Sequence, residues 1–136
     1  MNKRQVSSIQ RVNVMNTALW IVQIALALVF VMTGGIKLVL PLDKIPEPMR
    51  TEGLSPRIMR IIGLLEVMGA VGVILPAWTG ILPWLTSLAA AGLMLTMIGA
   101  TFTNVRNKHF PMIAVNFILG VLAIIVIFGR VIAVSV

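Results

Sequence analysis

The chain has 136 residues, 59% of them hydrophobic and only 11% charged, with a mean hydropathy of +1.04. A water-soluble domain of this length could not hide so much apolar surface, and the absence of cysteine excludes a thiol relay, a zinc–thiolate site and an iron–sulfur cluster. The 11 Lys and Arg outnumber the 4 acids, but they sit at the edges of apolar runs, where they anchor to anionic headgroups and argue against nucleic acid as a partner.

Charge-free stretches divide the chain. There are 25 uncharged residues between Arg11 and Lys37 (12–36), 39 between Glu66 and Arg106 (67–105) and 21 between Lys108 and Arg130 (109–129). Hydrocarbon about 30 Å thick needs roughly 20 apolar residues in a helix, so each run is long enough to cross a bilayer.

Residues 1–15, carrying Lys3, Arg4 and Arg11, read as a basic N-terminal tail with no repeating pattern, mobile or lying at the interface. The apolar run behind it contains Ala25-Leu26-Ala27 but continues to Ile36. That exceeds the roughly 7–15 residues of a signal-peptide core, so the run is expected to be a retained first span, 16–40, stopped by Pro41. The polar segment 41–56 holds four of the seven prolines, which forbid one regular helix through it. Its acids Asp43, Glu47 and Glu52 alternate with Lys44, Arg50 and prolines, the pattern of a solvated loop.

Ser55-Pro56 is a helix start, with Ser able to cap free N–H groups and Pro suited to the first helical position. The second span is predicted over 57–75, followed by a turn at Pro76-Ala77-Trp78-Thr79-Gly80. The third is predicted over 83–103 and the fourth over 111–130, opened by Pro83 and Pro111 and joined through the polar connector Asn104–Phe110. Trp78 and Trp84 flank the tight turn, as aromatic side chains do at headgroup level. The expectation is an all-α integral membrane protein, a four-transmembrane-helix up-down-up-down bundle around one domain, 16–130. Its membrane would be the inner one if the source is bacterial. Near the 1–2 and 3–4 loops lie six basic residues (Lys44, Arg50, Arg57, Arg60, Arg106, Lys108), against four near the termini (Lys3, Arg4, Arg11, Arg130), which leans toward cytoplasmic loops.

At 100° per residue each span shows a stripe of small or polar side chains. Gln23, Phe30, Gly34 and Lys37 mark it on the first span, and Gly63, Glu66 and Gly69 on the second. Thr101 and Asn104 mark the third, and Asn116, Gly120 and Arg130 the fourth. The plain reading is a packing seam, with Gly34, Gly63, Gly69 and Gly120 allowing close helix approach.

Glu66 asks for more. An ionised carboxylate mid-span costs about 2.5–3.5 kcal/mol on the insertion scale, while ten Leu, Ile and Val residues of its helix return about 3–6 kcal/mol. That helix alone inserts marginally, so Glu66 requires a partner, a proton or a water-filled cavity. Lys37 is the natural partner, although Glu66 lies about 12 Å along its helix from the start, near the limit of two long side chains. Arg60 is expected to snorkel to the headgroups instead. A polar pocket is predicted from Lys37, Glu66, Asn104 and Asn116, and an ion pair that merely fixes helix register remains the competing account. No catalytic residue is assigned. His109, the single histidine, beside Lys108, reads as a solvated loop residue, and with no second His or Cys no metal site is expected.

Several of these landmarks resemble the DoxX-like family of small four-span membrane proteins. The first span, Ala27-Leu-Val-Phe30-Val-Met-Thr-Gly34-Gly-Ile-Lys37-Leu38, is similar to that family's aromatic–Gly–Lys-Leu ending. Gly53-Leu-Ser-Pro56 followed by Gly63-Leu-Leu-Glu66-Val-Met-Gly69-Ala70, ending at Pro76, is similar to its Gly-x-x-Glu-x-x-Gly-Ala stretch; Ala100–Arg106 and Asn116 are similar too. One departure is at Asn104-Val-Arg106, where the family pattern expects a histidine near the Arg, and His109 comes later. The resemblance covers about 16–130 and marks Lys37, Gly63, Glu66, Gly69 and Asn116 as motif positions. It implies a non-catalytic membrane subunit or partner of respiratory or redox-stress machinery, since some members are named as the small membrane subunit of a thiosulfate–quinone oxidoreductase and others as partners of redox-defence enzymes. Relatives acting in thiol chemistry use cysteines, which this chain lacks. No cofactor is required by this reading, although a quinone could be held. The partners expected are the bilayer, a membrane or soluble redox protein, and a second copy of the chain. Two other readings stay open: a quinone-binding oxidoreductase subunit, and a small proton-coupled transporter in which Glu66 titrates, for which four helices are few.

Overall fold

The structure is a computed structural model that describes residues 1–50 and 53–135. Glu52, one of the loop acids, lies outside the described residues. Four α-helices form: α1 (Lys3–Val39), α2 (Pro56–Thr79), α3 (Trp84–Arg106) and α4 (Phe110–Ser135). Two short 3-10 turns, Leu42–Lys44 and Glu47–Met49, lie between α1 and α2, and no strand occurs among the described residues.

Helix α1 begins at Lys3 rather than near Asn16, which corrects the expectation of a patternless tail. No Pro or Gly interrupts residues 3–33, and Gln5 Oε1 accepts the Asn2 N–H at 3.4 Å to close the first turn. At 1.5 Å per residue the helix is about 55 Å long. It exceeds the hydrocarbon thickness, so its basic first part, exposed throughout residues 3–14, stands outside the apolar layer. Leu40 is extended (ψ 144°), as the residue before Pro41 must be.

Helix α2 starts as expected, with Ser55 Oγ accepting from Ile58 N–H and Pro56 in the first turn. Its end differs. The helix passes through Pro76 to Thr79 and stops at Gly80, whose left-handed φ of +70° suits a residue without Cβ. Pro76 removes a single donor near the helix end, and its own carbonyl accepts from Gly80 N–H at 3.0 Å, so the last turn survives. Helix α4 likewise continues past Arg130 to Ser135.

Successive helices pack side by side, and α4 closes back on α1. Helices α1 and α2 run in opposite senses, since Gly34 faces Gly63 while Gln23 reaches Val73. So do α2 and α3, where Gly69 meets Leu93 and Gly72 meets Ala89. The centre is apolar, built from Leu26, Phe30, Val73, Leu93 and Val126 among others. Outside, the helices present Leu28, Leu65, Leu95 and Phe117 at 67%, 52%, 65% and 71% exposure, one from each helix. Apolar surface of that extent calls for lipid around it. All four helices are long and apolar enough to span a membrane, and the protein is a multi-pass integral membrane protein.

Candidate functional site

The close contact between α1 and α2 sets up the first polar centre. A Cβ on Gly34 would lie 2.6 Å from the Gly63 carbonyl oxygen, and one on Gly63 would lie 2.8 Å from the Gly34 oxygen. Only two glycines let the backbones approach so far. Thr33 and Lys37, four residues apart on α1, therefore face Glu66 on α2. Lys37 Nζ donates to Glu66 Oε1 at 2.6 Å, and Thr33 Oγ1 donates to Oε2 at 3.2 Å. Both carboxylate oxygens are occupied, the geometry that offsets the cost of burying the charge. Glu66 is 1% exposed and Lys37 9%. Arg60 turns to the Leu38 carbonyl, satisfying one of the free acceptors at the end of α1.

Beside this pair lies a cavity of about 500 Å³, and Lys37, Glu66, Asn104 and Asn116 all line it. Helix α3 brings Asn104 from its last turn and α4 brings Asn116 from its second, both almost fully buried. Asn116 Nδ2 has no hydrogen-bond partner. Phe30, Met97 and Leu119 supply apolar wall.

The segment after α1 differs from a freely solvated loop. Ile45 is 2% exposed, and Pro48, Met49, Arg50 and Leu54 line the cavity. Arg50 holds the segment folded: one Nη donates to the carbonyls of Asp43 and Ile45 at 3.0 and 2.9 Å, while its Nε is buried without a partner. Alternating charge and proline hid this role. The one available signal was the pair of apolar residues, Ile45 and Met49, spaced to turn inward.

A second polar centre joins α1, α2 and α4 toward the opposite end of the bundle, at the middle of the long α1. Arg130 Nε donates to Gln23 Oε1 at 2.5 Å, and Nη1 to Asn16 Oδ1 at 2.9 Å. The guanidinium sits 5.1 Å from the centre of the Trp20 ring, a cation–π distance. Gln23 passes the network on, its Nε2 donating to the Val73 carbonyl at 2.6 Å, three residues before Pro76. Gln23 and Arg130 were visible in the sequence as seam positions, but nothing there paired residues 107 positions apart.

Of the four glycines expected to serve packing, Gly34 and Gly63 meet backbone and Gly69 meets the Leu93 side chain. Gly120 meets nothing within 4 Å, so no close approach depends on it. Gly72 against Ala89 and Gly129 against Leu19 are close approaches that the sequence did not single out. His109 is half-buried and does not line the cavity; its backbone N–H closes the end of α3 on the Asn104 carbonyl at 2.9 Å. No cluster of three His, Cys, Asp or Glu able to hold a metal occurs among the described residues.

Comparison with known proteins adds one finding. No curated protein and no solved structure matches the chain. The profile of the DoxX-like family matches residues 21–126, a stretch that takes in both polar centres except Asn16, Trp20 and Arg130. With four apolar membrane-spanning helices and most of its length covered by that match, the chain belongs to the DoxX-like family.

Proposed function

We propose that the protein is a non-catalytic membrane subunit or partner of respiratory or redox-stress machinery, whose cavity receives the polar head of a small amphiphile dissolved in the bilayer. One observation carries this reading: the buried, unpartnered Asn116 Nδ2 lines the same cavity as the Lys37–Glu66 pair. A register-fixing ion pair needs neither a cavity nor a spare donor beside it. A cavity of about 500 Å³ falls in the usual range of small-molecule sites, mostly apolar with a few convergent polar groups. The association with redox machinery rests on family resemblance.

A quinone fits the donor set as one such amphiphile. Its ring carbonyls are acceptors, and Asn116 Nδ2 and the two free Lys37 protons are donors. When bound, a quinone would supply electron acceptance; the residues of this chain would hold and orient its head.

The test is purification in a mild non-ionic detergent, followed by solvent extraction and mass spectrometry of bound small molecules and co-purifying proteins. The reading expects an amphiphile retained at a fixed ratio to protein by the wild type and depleted in Asn116→Leu. Wild-type protein free of any retained amphiphile, or equal retention by the variant, would overturn it.

A further inference from the structure

The polar groups around the cavity are unbalanced in two ways. Lys37 and Arg50 contribute two cations against the single carboxylate of Glu66. Hydrogen-bonding capacity is lopsided in the same direction. Both Glu66 oxygens already accept, from Lys37 and from Thr33. Thr96 and Thr103, also on the wall, donate to carbonyls of their own helix. Among the groups left over, Arg50 Nε, Asn116 Nδ2 and two of the three Lys37 protons are donors, and the acceptors beside them are the neutral amide oxygens of Asn104 and Asn116. Arg50 makes no ion pair among the described residues, because both of its bonds go to backbone carbonyls. A buried donor without a partner costs about 1–3 kcal/mol, and more when it is charged. A neutral acceptor would satisfy the donors and leave the extra positive charge; an anion satisfies both.

Resting on the reading of the cavity as an amphiphile site, we propose that its ligand carries one anionic oxyacid group on an apolar chain. The oxyacid lies among Lys37, Arg50 and Asn116, and the chain lies along the Phe30, Met97 and Leu119 wall. Its source is either a free long-chain carboxylate or the phosphodiester of an anionic lipid. Arg50 has a further part in this arrangement. The same guanidinium that folds the loop onto the cavity, through Asp43 and Ile45, offers its unpartnered Nε–H to the ligand, so binding and loop position are coupled.

The experiment uses the full chain, delipidated in non-ionic detergent, and measures equilibrium binding of radiolabelled oleate, oleyl alcohol, dioleoyl phosphatidylglycerol and decylubiquinone. Oleate or phosphatidylglycerol should bind at least about tenfold more tightly than oleyl alcohol, the ratio expected from one charged hydrogen bond. Which of the two shows the preference identifies the source. Arg50→Gln also loosens the loop and so should weaken every probe, but it should weaken the anion by about tenfold more than it weakens oleyl alcohol. Arg50→Lys, which keeps the charge, should retain part of the preference and serves if Arg50→Gln fails to accumulate. Oleyl alcohol binding as tightly as both anions would overturn the proposal, as would anion binding indifferent to position 50. Decylubiquinone retained in preference to either anion would sink this inference and leave the amphiphile reading standing. No binding of any of the four probes would sink both.

Discussion

Arg130 near the end of α4 and Gln23 in α1 are joined by a 2.5 Å hydrogen bond, and Gln23 hands the connection to the Val73 carbonyl of α2. One amide thus ties three helices. Its oxygen accepts from the guanidinium, and its nitrogen donates to a backbone carbonyl three residues before Pro76. Gln23 is fully buried, so neither half of the amide can turn to water if its partner is lost.

Replacing Gln23 by Leu should therefore cost more than replacing Asn16. The first change strands Arg130 Nε, whose hydrogen bond to Gln23 involves a charged group and is worth about 1.5–3 kcal/mol, and also removes the side-chain bond to the Val73 carbonyl. Asn16 is exposed, so water or a headgroup can take over its bond to Nη1. Thermal unfolding in detergent should rank wild type above Asn16→Leu above Gln23→Leu. Equal midpoints for the two variants would show that the Gln23 bridge carries no special weight.

The other buried charge makes a sharper test because it is paired. Lys37→Met leaves the Glu66 carboxylate with only the Thr33 hydroxyl, and breaking a buried pair on one side costs about 3–5 kcal/mol. Lys37→Met combined with Glu66→Met removes both charges and should recover most of that loss, since well-packed apolar replacements of a buried pair are often neutral. The measurement is the fraction of monodisperse protein after detergent extraction, with unfolding midpoints for whatever survives. A double variant worse than either single one would mean that the pair stabilises the bundle outright.

These two centres differ in how far the sequence revealed them. Glu66 and Lys37 were legible because an isolated carboxylate among hydrocarbon side chains has few ways to exist, and the span order brought one lysine into range. Asn104 and Asn116 followed from the same topology. The Gln23–Arg130 link was not legible, because an amide is tolerable almost anywhere in a span and Arg130 lay where snorkelling explains an arginine equally well. The inward packing of the segment after α1 was not legible for a related reason. Proline and charge dominate residues 41–50, and what turns Ile45 and Met49 inward is contact with the bundle, which no local pattern records. Helix ends failed where tertiary support overrode a breaker, as at Pro76.

Glycine substitutions separate close contact from mere small size. Gly34→Ala and Gly63→Ala push a methyl into backbone oxygen, which cannot move aside, and overpacking of this kind costs about 1–3 kcal/mol. Gly69→Ala meets the Leu93 side chain, Cδ2 at 2.5 Å and Cγ at 2.9 Å, and a side chain can shift where backbone cannot, so its cost should be smaller. Gly120→Ala meets open space and should be neutral or stabilising by up to about 1 kcal/mol, the helix preference of Ala over Gly. Unfolding midpoints of the four variants should follow that order. A Gly120→Ala variant as damaged as Gly34→Ala would reveal an interface on α4 that the isolated chain does not contain.

The tryptophans offer a test of how the bundle sits in lipid. Trp20 is three residues from Gln23, which is bonded to Val73; Trp78 is five residues beyond Val73; Trp84 opens α3. All three therefore gather at the end of the bundle that carries Arg130, and Trp78 and Trp84 are 71% and 56% exposed. Indole rings at a membrane surface settle at headgroup level, with the ring against acyl chains and the N–H toward water. In vesicles, lipids carrying a quencher high on the acyl chain should quench the fluorescence strongly, and lipids carrying it near the chain end should do so weakly. A soluble acrylamide probe should reach the rings from one side of the membrane only, because the α1–α2 contacts place Lys37 and Glu66 at the other end. Strong quenching from the bilayer centre would put the Arg130 cluster inside hydrocarbon, and a guanidinium at that depth without an acidic partner would contradict the packing described for α1 and α4.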